Sequence, residues 1–308
     1  MNILITGASG FMGRSLSRRL SGKDNHLTLL NSKCANLTKE TALLPYNNVQ
    51  YDIIFHLAAW TQAGDFCLHH QGEQWIINQQ INTNTLMWWQ QYQQQAKLIA
   101  FGTSVSYAVQ ENLTEENYML GVPNEKFYSY AMTKRMLYAG LVSLNRQFEM
   151  NYLYVVPSTL YGPNYHTDGR QMHFIFDLIR KIIRGKEYGD KVELWGSGYQ
   201  RRELVFVDDF VEILLKLSEQ VDNEIINVGA GEDHSIREFA KKICDIVGYD
   251  FSSISFDETK YVGAESKCLN VNKLNKLLPG RTLTSLENGL TATIDWFYKG
   301  KVYDKIIS

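Results

Sequence analysis

The chain of 308 residues has no surplus of positive charge, few cysteines and no long uninterrupted apolar run. Lys and Arg number 31 against 33 Asp and Glu, a formal net charge of -2, so nothing stands ready to neutralise a phosphate backbone and nucleic acid is not expected as a partner. The four cysteines, Cys34, Cys67, Cys244 and Cys268, lie far apart and form no C-x-x-C pair. Neither a zinc site nor a disulfide framework is therefore indicated, no metal is expected, and a reducing cytoplasm is the expected compartment. Met1 to Gly7 lacks the basic and long apolar regions of a signal peptide, and no later stretch approaches the length of a membrane span, so no membrane partner is expected.

What is present is ordinary for a folded protein: 44% hydrophobic and 21% charged residues in a length suited to one large domain or two small ones. Asn2 to Thr6 reads as a buried strand and Phe11 to Leu20 as an amphipathic helix, with a glycine-rich link between them. Leu27 to Leu30, Ile53 to Leu57, Leu98 to Phe101 and Tyr152 to Val156 read as further strands, mostly separated by helix-length segments. Alternating strand and helix predicts an α/β fold built on a Rossmann-type doubly wound parallel sheet. Residues 71 to 95, rich in Gln and Trp, read as a helix with a mixed face on the recurrence of Trp75, Ile77, Ile81, Leu86 and Trp89. Met172 to Ile183 predicts another helix, with Gly185 and Gly189 in a loop after it. Ser235 to Glu238 is a capping box opening a helix over Ile236 to Val247.

Gly7-Ala8-Ser9-Gly10-Phe11-Met12-Gly13 follows the first strand directly. Glycines there allow a tight turn and let backbone N–H groups approach a pyrophosphate at the positive end of a helix. Gly7, Ser9, Gly10, Phe11, Met12 and Gly13 are accordingly candidate cofactor residues, although a flavoprotein turn or a turn without ligand would read similarly. A carboxylate at the end of the second strand would bind the adenosine ribose and favour NAD. The strand ends instead in Leu30-Asn31-Ser32-Lys33, so Asn31, Ser32 and Lys33, with Arg14 as a second cation, point to a 2′-phosphate and to NADP(H) over NAD(H). A solvated surface lysine is the plainer reading of Lys33.

Tyr130 and Lys134 are four residues apart in Tyr-Ala-Met-Thr-Lys and share a helix face. With 18 tyrosines this spacing arises about once by chance, but Gly102-Thr103-Ser104-Val105-Ser106-Tyr107 adds hydroxyls at a strand's carboxyl end, where open α/β sheets bind ligands. A free phenol has a pKa near 10, and the ammonium of Lys134 is expected to lower it toward a useful value. Tyr130 is the expected general acid or base, and Thr103 the expected donor to the reacting oxygen, unless it is only a turn hydroxyl. Lys134 is also expected to hold the nicotinamide ribose.

Taken together, GASGFMG, Asp52 to Ala59 (DIIFHLAA), Asn82, the Thr103 turn, YAMTK, Pro157 to Pro163 (PSTLYGP) and Arg202 to Asp209 (RELVFVDD) resemble the extended short-chain dehydrogenase/reductases that act on nucleotide sugars. The resemblance is greatest to the GDP-L-fucose synthase branch, which epimerises and reduces a GDP-4-keto-6-deoxy sugar. It implies that Leu57, Ala58, Ala59 and Pro157 line the cofactor, and that Val105, Thr159, His173, Trp195, Arg202 and Lys267 line the substrate. It further implies that His173 is an acid in epimerisation, Trp195 and Arg202 line the nucleotide, Lys267 meets the diphosphate, and the chain forms a homodimer through a four-helix contact. His173 also reads as a helix histidine near a pocket.

Two positions depart from that branch: Val105 stands where its epimerising cysteine falls, and Thr159 where it has asparagine. Valine cannot exchange a proton, so C3/C5 epimerisation is not expected, while the reductase residues are intact. The expected activity is NADPH-dependent reduction of the 4-keto group of a nucleotide-activated, GDP-linked deoxy sugar. The alternatives are an NAD-dependent nucleotide-sugar 4-epimerase or dehydratase, and a non-catalytic dinucleotide-binding regulator. The expected division is a Rossmann domain over 1–165, rejoined by 203–228, and a nucleotide-sugar-binding α/β domain from 166–202 and 229–308.

Overall fold

The computed structural model describes residues 1–22, 24–109, 112–260 and 265–305. In chain order its elements are β1 (Asn2–Thr6), α1 (Phe11–Leu20), β2 (His26–Leu30), β3 (Ile53–His56), α2 (Phe66–His69), α3 (Gln71–Tyr92), β4 (Lys97–Phe101), α4 (Tyr128–Phe148), β5 (Tyr152–Pro157) and β6 (Thr159–Tyr161). They continue as α5 (Phe174–Tyr188), β7 (Glu193–Trp195), β8 (Arg201–Arg202), β9 (Leu204–Phe206), α6 (Val207–Gln220), β10 (Glu224–Val228), β11 (His234–Ser235), α7 (Ile236–Val247), β12 (Ser255–Asp257), α8 (Asn272–Leu277) and α9 (Leu286–Lys299).

Six strands form a parallel sheet in the order β2-β1-β3-β4-β5-β10. Their runs of buried apolar residues suit a sheet covered on both faces. The path from β1 to β2 and the path from β3 to β4 run in opposite directions along it, so right-handed crossovers set α1 and α3 on opposite faces. Helix α6 packs beside α1, and α4 beside α3. The reversal falls between β1 and β3, and a crevice opens at their carboxyl ends.

A second apolar core lies beyond the sheet, built from Ile175, Ile179 and Ile182 of α5, Phe239 and Ile243 of α7, and Ile294 and Phe297 of α9. Leu269, Val271, Leu274 and Leu278 pack instead into the first core, with the sheet. The capping box forms as read: Ser235 Oγ accepts from Glu238 N–H, and the Glu238 carboxylate accepts from Ser235 N–H.

Two local readings change. Helix α5 starts at Phe174 and runs through Gly185 to Tyr188, and a Cβ on Gly185 would lie 2.5 Å from Val192 Cγ2. That glycine serves close packing inside the helix, and Gly189, at φ +71°, ends it. Helix α3 buries Gln74, Asn78, Asn82 and Thr85 beside Ile81, Trp88 and Trp89, whereas Trp75 is exposed. Three amides stand on its inner face because they hold backbone and hydroxyl groups of other segments. Among the described residues no helix is long and apolar enough to cross a membrane.

Candidate active site

The turn after β1 is built by close approach. Gly7 has φ +65°, and a Cβ there would lie 2.9 Å from the backbone nitrogen of Ala58 at the end of β3. A Cβ on Gly13 would lie 2.4 Å from the Gly7 carbonyl oxygen, so α1 can meet the turn only through glycine. Gly10 N–H donates to the Gly7 carbonyl at 2.9 Å, no side chain caps α1, and its first turn holds no acid. The helix therefore presents uncapped amides and a positive end to the crevice, a cradle that fits a dinucleotide pyrophosphate. The rings of Phe11 and the side chain of Met12 turn elsewhere: Phe11 packs edge-on against Tyr165 and Phe176, and Met12 against the first core.

Beside the turn lies a cavity of about 630 Å³ lined by Ser9, Arg14, Asn31, Ser32 and Lys33. Asn31 Oδ1 accepts from the Lys33 N–H at 2.9 Å, which shapes the end of β2. The opposite wall belongs to the segment after β6, including His166, Asp168 and Arg170. Arg14 joins the walls by donating to the carbonyls of Ser9 and Asn164.

Thr103 follows β4 and caps the short turn 104–106, its hydroxyl accepting from Val105 N–H at 3.4 Å. That turn is fastened to α4: Ser106 Oγ donates to the Ala131 carbonyl at 3.2 Å, and Arg135 Nε donates to the Ser106 carbonyl at 2.9 Å. Tyr154 donates to the Lys134 carbonyl at 2.7 Å, and its oxygen pairs with that of Tyr118 at 3.0 Å. Thr103 and the start of α4 are thus braced together, and Lys134 Nζ lies 5.8 Å from the centre of the Tyr130 ring.

The charge logic read from sequence is reversed at Tyr130. Burial pushes its phenol upward, with Cys67 and Tyr118 adding to the rise and a hydrogen bond from Thr61 opposing it. The same burial lowers Lys134 to about 8. Desolvation thus sets the direction of the shift, and Tyr130 is held as a proton donor at neutral pH.

His56 ties the crevice to this helix. Its Nδ1 is 3.0 Å from Thr6 Oγ1, which itself accepts from Ala58 N–H at 3.2 Å, and its Nε2 is 3.3 Å from Asn82 Oδ1. Asn82 Nδ2 donates onward to the Thr133 carbonyl at 3.3 Å. Since the amide oxygen of Asn82 can only accept, His56 carries its proton on Nε2 and accepts from Thr6 at Nδ1. Asn78 similarly accepts from Trp60 N–H at 2.9 Å and donates to the Trp60 carbonyl at 3.0 Å, while Gln74 donates to Thr61 Oγ1 at 3.4 Å. These contacts explain the amide face of α3, which holds His56, Trp60 and Thr61 on either side of Leu57 to Ala59.

On the facing side, Thr159 opens β6 and pairs with Leu204, and Pro157 ends β5 opposite Val228. His173 precedes α5; more than a third of its surface is accessible, yet dense surrounding protein, His166 and Lys267 hold its pKa down to about 4. Lys267 is lowered to about 7 by burial and by Arg202, so the two cations share one environment. Behind them Glu203, buried, accepts from Gly231 N–H at 2.7 Å and Leu269 N–H at 2.9 Å, pinning the segments that carry Arg202 and Lys267. Trp195, at 58% exposed, presents an open ring with Lys260 Nζ 6.0 Å from its centre. Val105 is half-buried in the turn after Thr103.

The sequence reading missed Thr61, His166 and Arg170. Thr61 carries no motif, and the other two gain meaning only from a cavity formed between segments about 135 residues apart.

A glycine-lined crevice at the switch point of a parallel sheet, with a phenol and an ammonium one helical turn apart near its mouth, defines an NAD(P)-dependent enzyme of the oxidoreductase type. The chain belongs to the NAD dependent epimerase/dehydratase family, whose model matches residues 3–229. It is 27% identical over 311 residues to GDP-L-colitose synthase of Yersinia pseudotuberculosis, covering 99% of this chain and 100% of that protein. It is 28% identical over 313 residues to GDP-L-fucose synthase of Escherichia coli (strain K12), covering 97% of each. The crystal structure of a GDP-L-fucose synthetase from Naegleria fowleri bound to NADP shares the fold, with a TM-score of 0.87 at 23% identity over 100% of this chain and 96% of that one.

Proposed function

We propose that this enzyme reduces the 4-keto group of a nucleotide-activated 4-keto-6-deoxy sugar, with GDP as the favoured nucleotide and NADPH as the reductant, and without C3/C5 epimerisation. The observation that carries the reading is the braced pairing of the Thr103 turn with Tyr130 and Lys134 on α4, beside a crevice whose glycines admit no side chain. The names of the full-length relatives, both GDP-sugar synthases, support the nucleotide. The neutral and basic end of β2, and the NADP in the fold neighbour, support the cofactor.

The glycine turn and the α1 amides would hold the pyrophosphate, Asn31 to Lys33 the adenosine ribose, and Leu57 to Ala59 with Pro157 the remainder. Bound there, the reduced nicotinamide supplies the hydride equivalent. Tyr130, kept protonated by burial, gives its proton to the 4-oxygen, which Thr103 steadies by a hydrogen bond as charge builds on it. Lys134 stabilises the phenolate left behind and holds the nicotinamide ribose. Arg202 and Lys267 bind the diphosphate of the sugar nucleotide, and Trp195 offers a stacking face for the base. Val105, with no ionisable group, cannot exchange a proton at C3 or C5, and His173 is assigned a binding role.

We assign residues 1–165 and 203–228 to the dinucleotide domain and residues 166–202 and 229–308 to the sugar-nucleotide domain. A homodimer is proposed through α3 and α4, on which Trp75, Ile76, Met87, Tyr128 and Met136 are exposed. The proposed setting is the cytoplasm, consistent with four unpaired cysteines.

The test is consumption of NADPH and of NADH with GDP-4-keto-6-deoxymannose and its CDP, dTDP and UDP counterparts, followed by NMR of the product formed in D2O. NADPH oxidation with the GDP sugar and no deuterium at C3 or C5 is the expected result. Deuterium at either carbon would remove the simple reductase reading, and no oxidation with any of them would remove the reductase itself.

A further inference from the structure

The cavity beside the glycine turn carries more positive charge than its own walls neutralise. Arg14 and Lys33 come from the sheet side, Arg170 and Lys305 from the other, and Asp168 is the one carboxylate among its described lining residues. Burial holds Arg14 below its ordinary value, and the nearby Arg170 guanidinium lowers it further. His166 meets the same two cations and is held below its ordinary value, chiefly by burial. Arg14 is oriented by the Ser9 and Asn164 carbonyls, which places it across the gap between the walls. The Arg170 guanidinium is held by Asp168, with Nε 3.0 Å from both carboxylate oxygens and Nη2 2.8 Å from Oδ2. His166 Nδ1 lies 3.3 Å from the same carboxylate.

That ion pair is open to water, at 44% and 55% side-chain exposure, so it is worth little and is easily exchanged. A phosphate monoester carries about two negative charges and offers a guanidinium the same planar, two-point partner that Asp168 offers. The cavity lies where β2 ends, the position at which a dinucleotide fold places the adenosine ribose.

We propose that Arg170, reaching from the segment after β6, clamps the 2′-phosphate of the cofactor against Arg14 and Lys33, and that Asp168 is the internal carboxylate which occupies Arg170 until that phosphate arrives. This rests on the NADP reading above and adds to it that the discriminating cation comes from outside the β1–α1–β2 unit. It makes Asp168 a competitor of the cofactor, so that removing its charge tightens binding.

The experiment is calorimetric titration of the whole protein with adenosine 2′,5′-bisphosphate, 5′-AMP and inorganic phosphate, in wild type, Arg170→Ala, Arg170→Lys and Asp168→Asn. Circular dichroism checks that each variant folds. Wild type binds the bisphosphate more tightly than 5′-AMP. Arg170→Ala weakens the bisphosphate by about 10-fold and leaves 5′-AMP unchanged, as expected for one charge-assisted pair at a half-open site. Arg170→Lys falls between them, because an ammonium keeps the charge without the two-point geometry. Asp168→Asn tightens the bisphosphate. Equal loss of both nucleotides in Arg170→Ala, or weaker bisphosphate binding in Asp168→Asn, would overturn the clamp. Inorganic phosphate binding as tightly as the bisphosphate would show an anion site unrelated to the cofactor and would also overturn it. A wild-type preference that is undiminished in Arg170→Ala sinks the clamp and spares the NADP reading, whereas equal wild-type affinity for the two nucleotides sinks the reading itself.

Discussion

Acidifying the protein from pH 7 to 4.5 should unmask the cost of charging His56. Its imidazole is 1% exposed, accepts from Thr6 at Nδ1 and donates to Asn82 from Nε2, so both nitrogens are engaged in the neutral form. A second ring proton would meet the Thr6 oxygen, which already accepts from Ala58 N–H, and would leave the Thr6 hydroxyl hydrogen without its acceptor. Burial, reinforced by nearby Lys134, lowers the pKa from 6.5 to about 4. For a base depressed on folding, the stability is fully present above pH 6.5 and is lost as pH falls toward 4, because the unfolded chain takes up the proton first. A gap of about 2.5 pH units sets a ceiling of about 3 kcal/mol, of which about 2 kcal/mol is lost between pH 7 and 4.5. Carboxylates titrate over the same range, so the measurement is a difference: urea unfolding of wild type and His56→Gln at both pH values, followed by tryptophan fluorescence. Glutamine supplies a donor and an acceptor but does not titrate. His56→Gln should be less stable at pH 7 and lose about 2 kcal/mol less than wild type on acidification. An identical loss in the two proteins would show that His56 is not the buried neutral group described.

Tyr130→Phe should retain NADPH affinity by fluorescence titration and lose turnover by about 100-fold or more, since only the proton donor is removed; turnover within a few-fold of wild type would take the role from Tyr130. Gly13→Ala puts a methyl group 2.4 Å from the Gly7 carbonyl, so the backbone must move; unfolding free energy should fall by about 1–3 kcal/mol and dinucleotide binding should weaken with it, as read by thermal shift with and without NADPH. Glu203→Gln keeps the shape of a buried side chain but turns one acceptor into a donor facing the amide of Gly231 or Leu269, at a cost of about 2–3 kcal/mol in urea unfolding. Because it pins the segments bearing Arg202 and Lys267, it should also raise KM for the sugar nucleotide more than it lowers kcat, and an unchanged KM would argue against that coupling.

The glycine turn, the central strands, α1, α7 with its capping box, and the Tyr130–Lys134 spacing were legible because each is written in a few consecutive residues. Helix α3 was legible as a helix but not as a device. Its buried Gln74, Asn78 and Asn82 look like solvated polar residues until their partners, the backbone of Trp60 and Thr133 and the hydroxyl of Thr61, are in place. Gly185 was misread as a loop marker because the side chains that require it, Val192 and Tyr249, approach from other elements.

Local rules of turn geometry, periodicity and residue chemistry thus determined where the dinucleotide fold begins and which phenol and ammonium share a helix face. Tertiary structure alone decided the electrostatics. A pKa depends on everything within several ångströms, and at Tyr130 desolvation by the assembled core raises it, opposite to the direction that the spacing to Lys134 suggests. The cavity beside the turn has the same origin. Its arginines are about 155 residues apart in the chain, and their charges acquire a common purpose only when folding brings two segments to face each other across one gap.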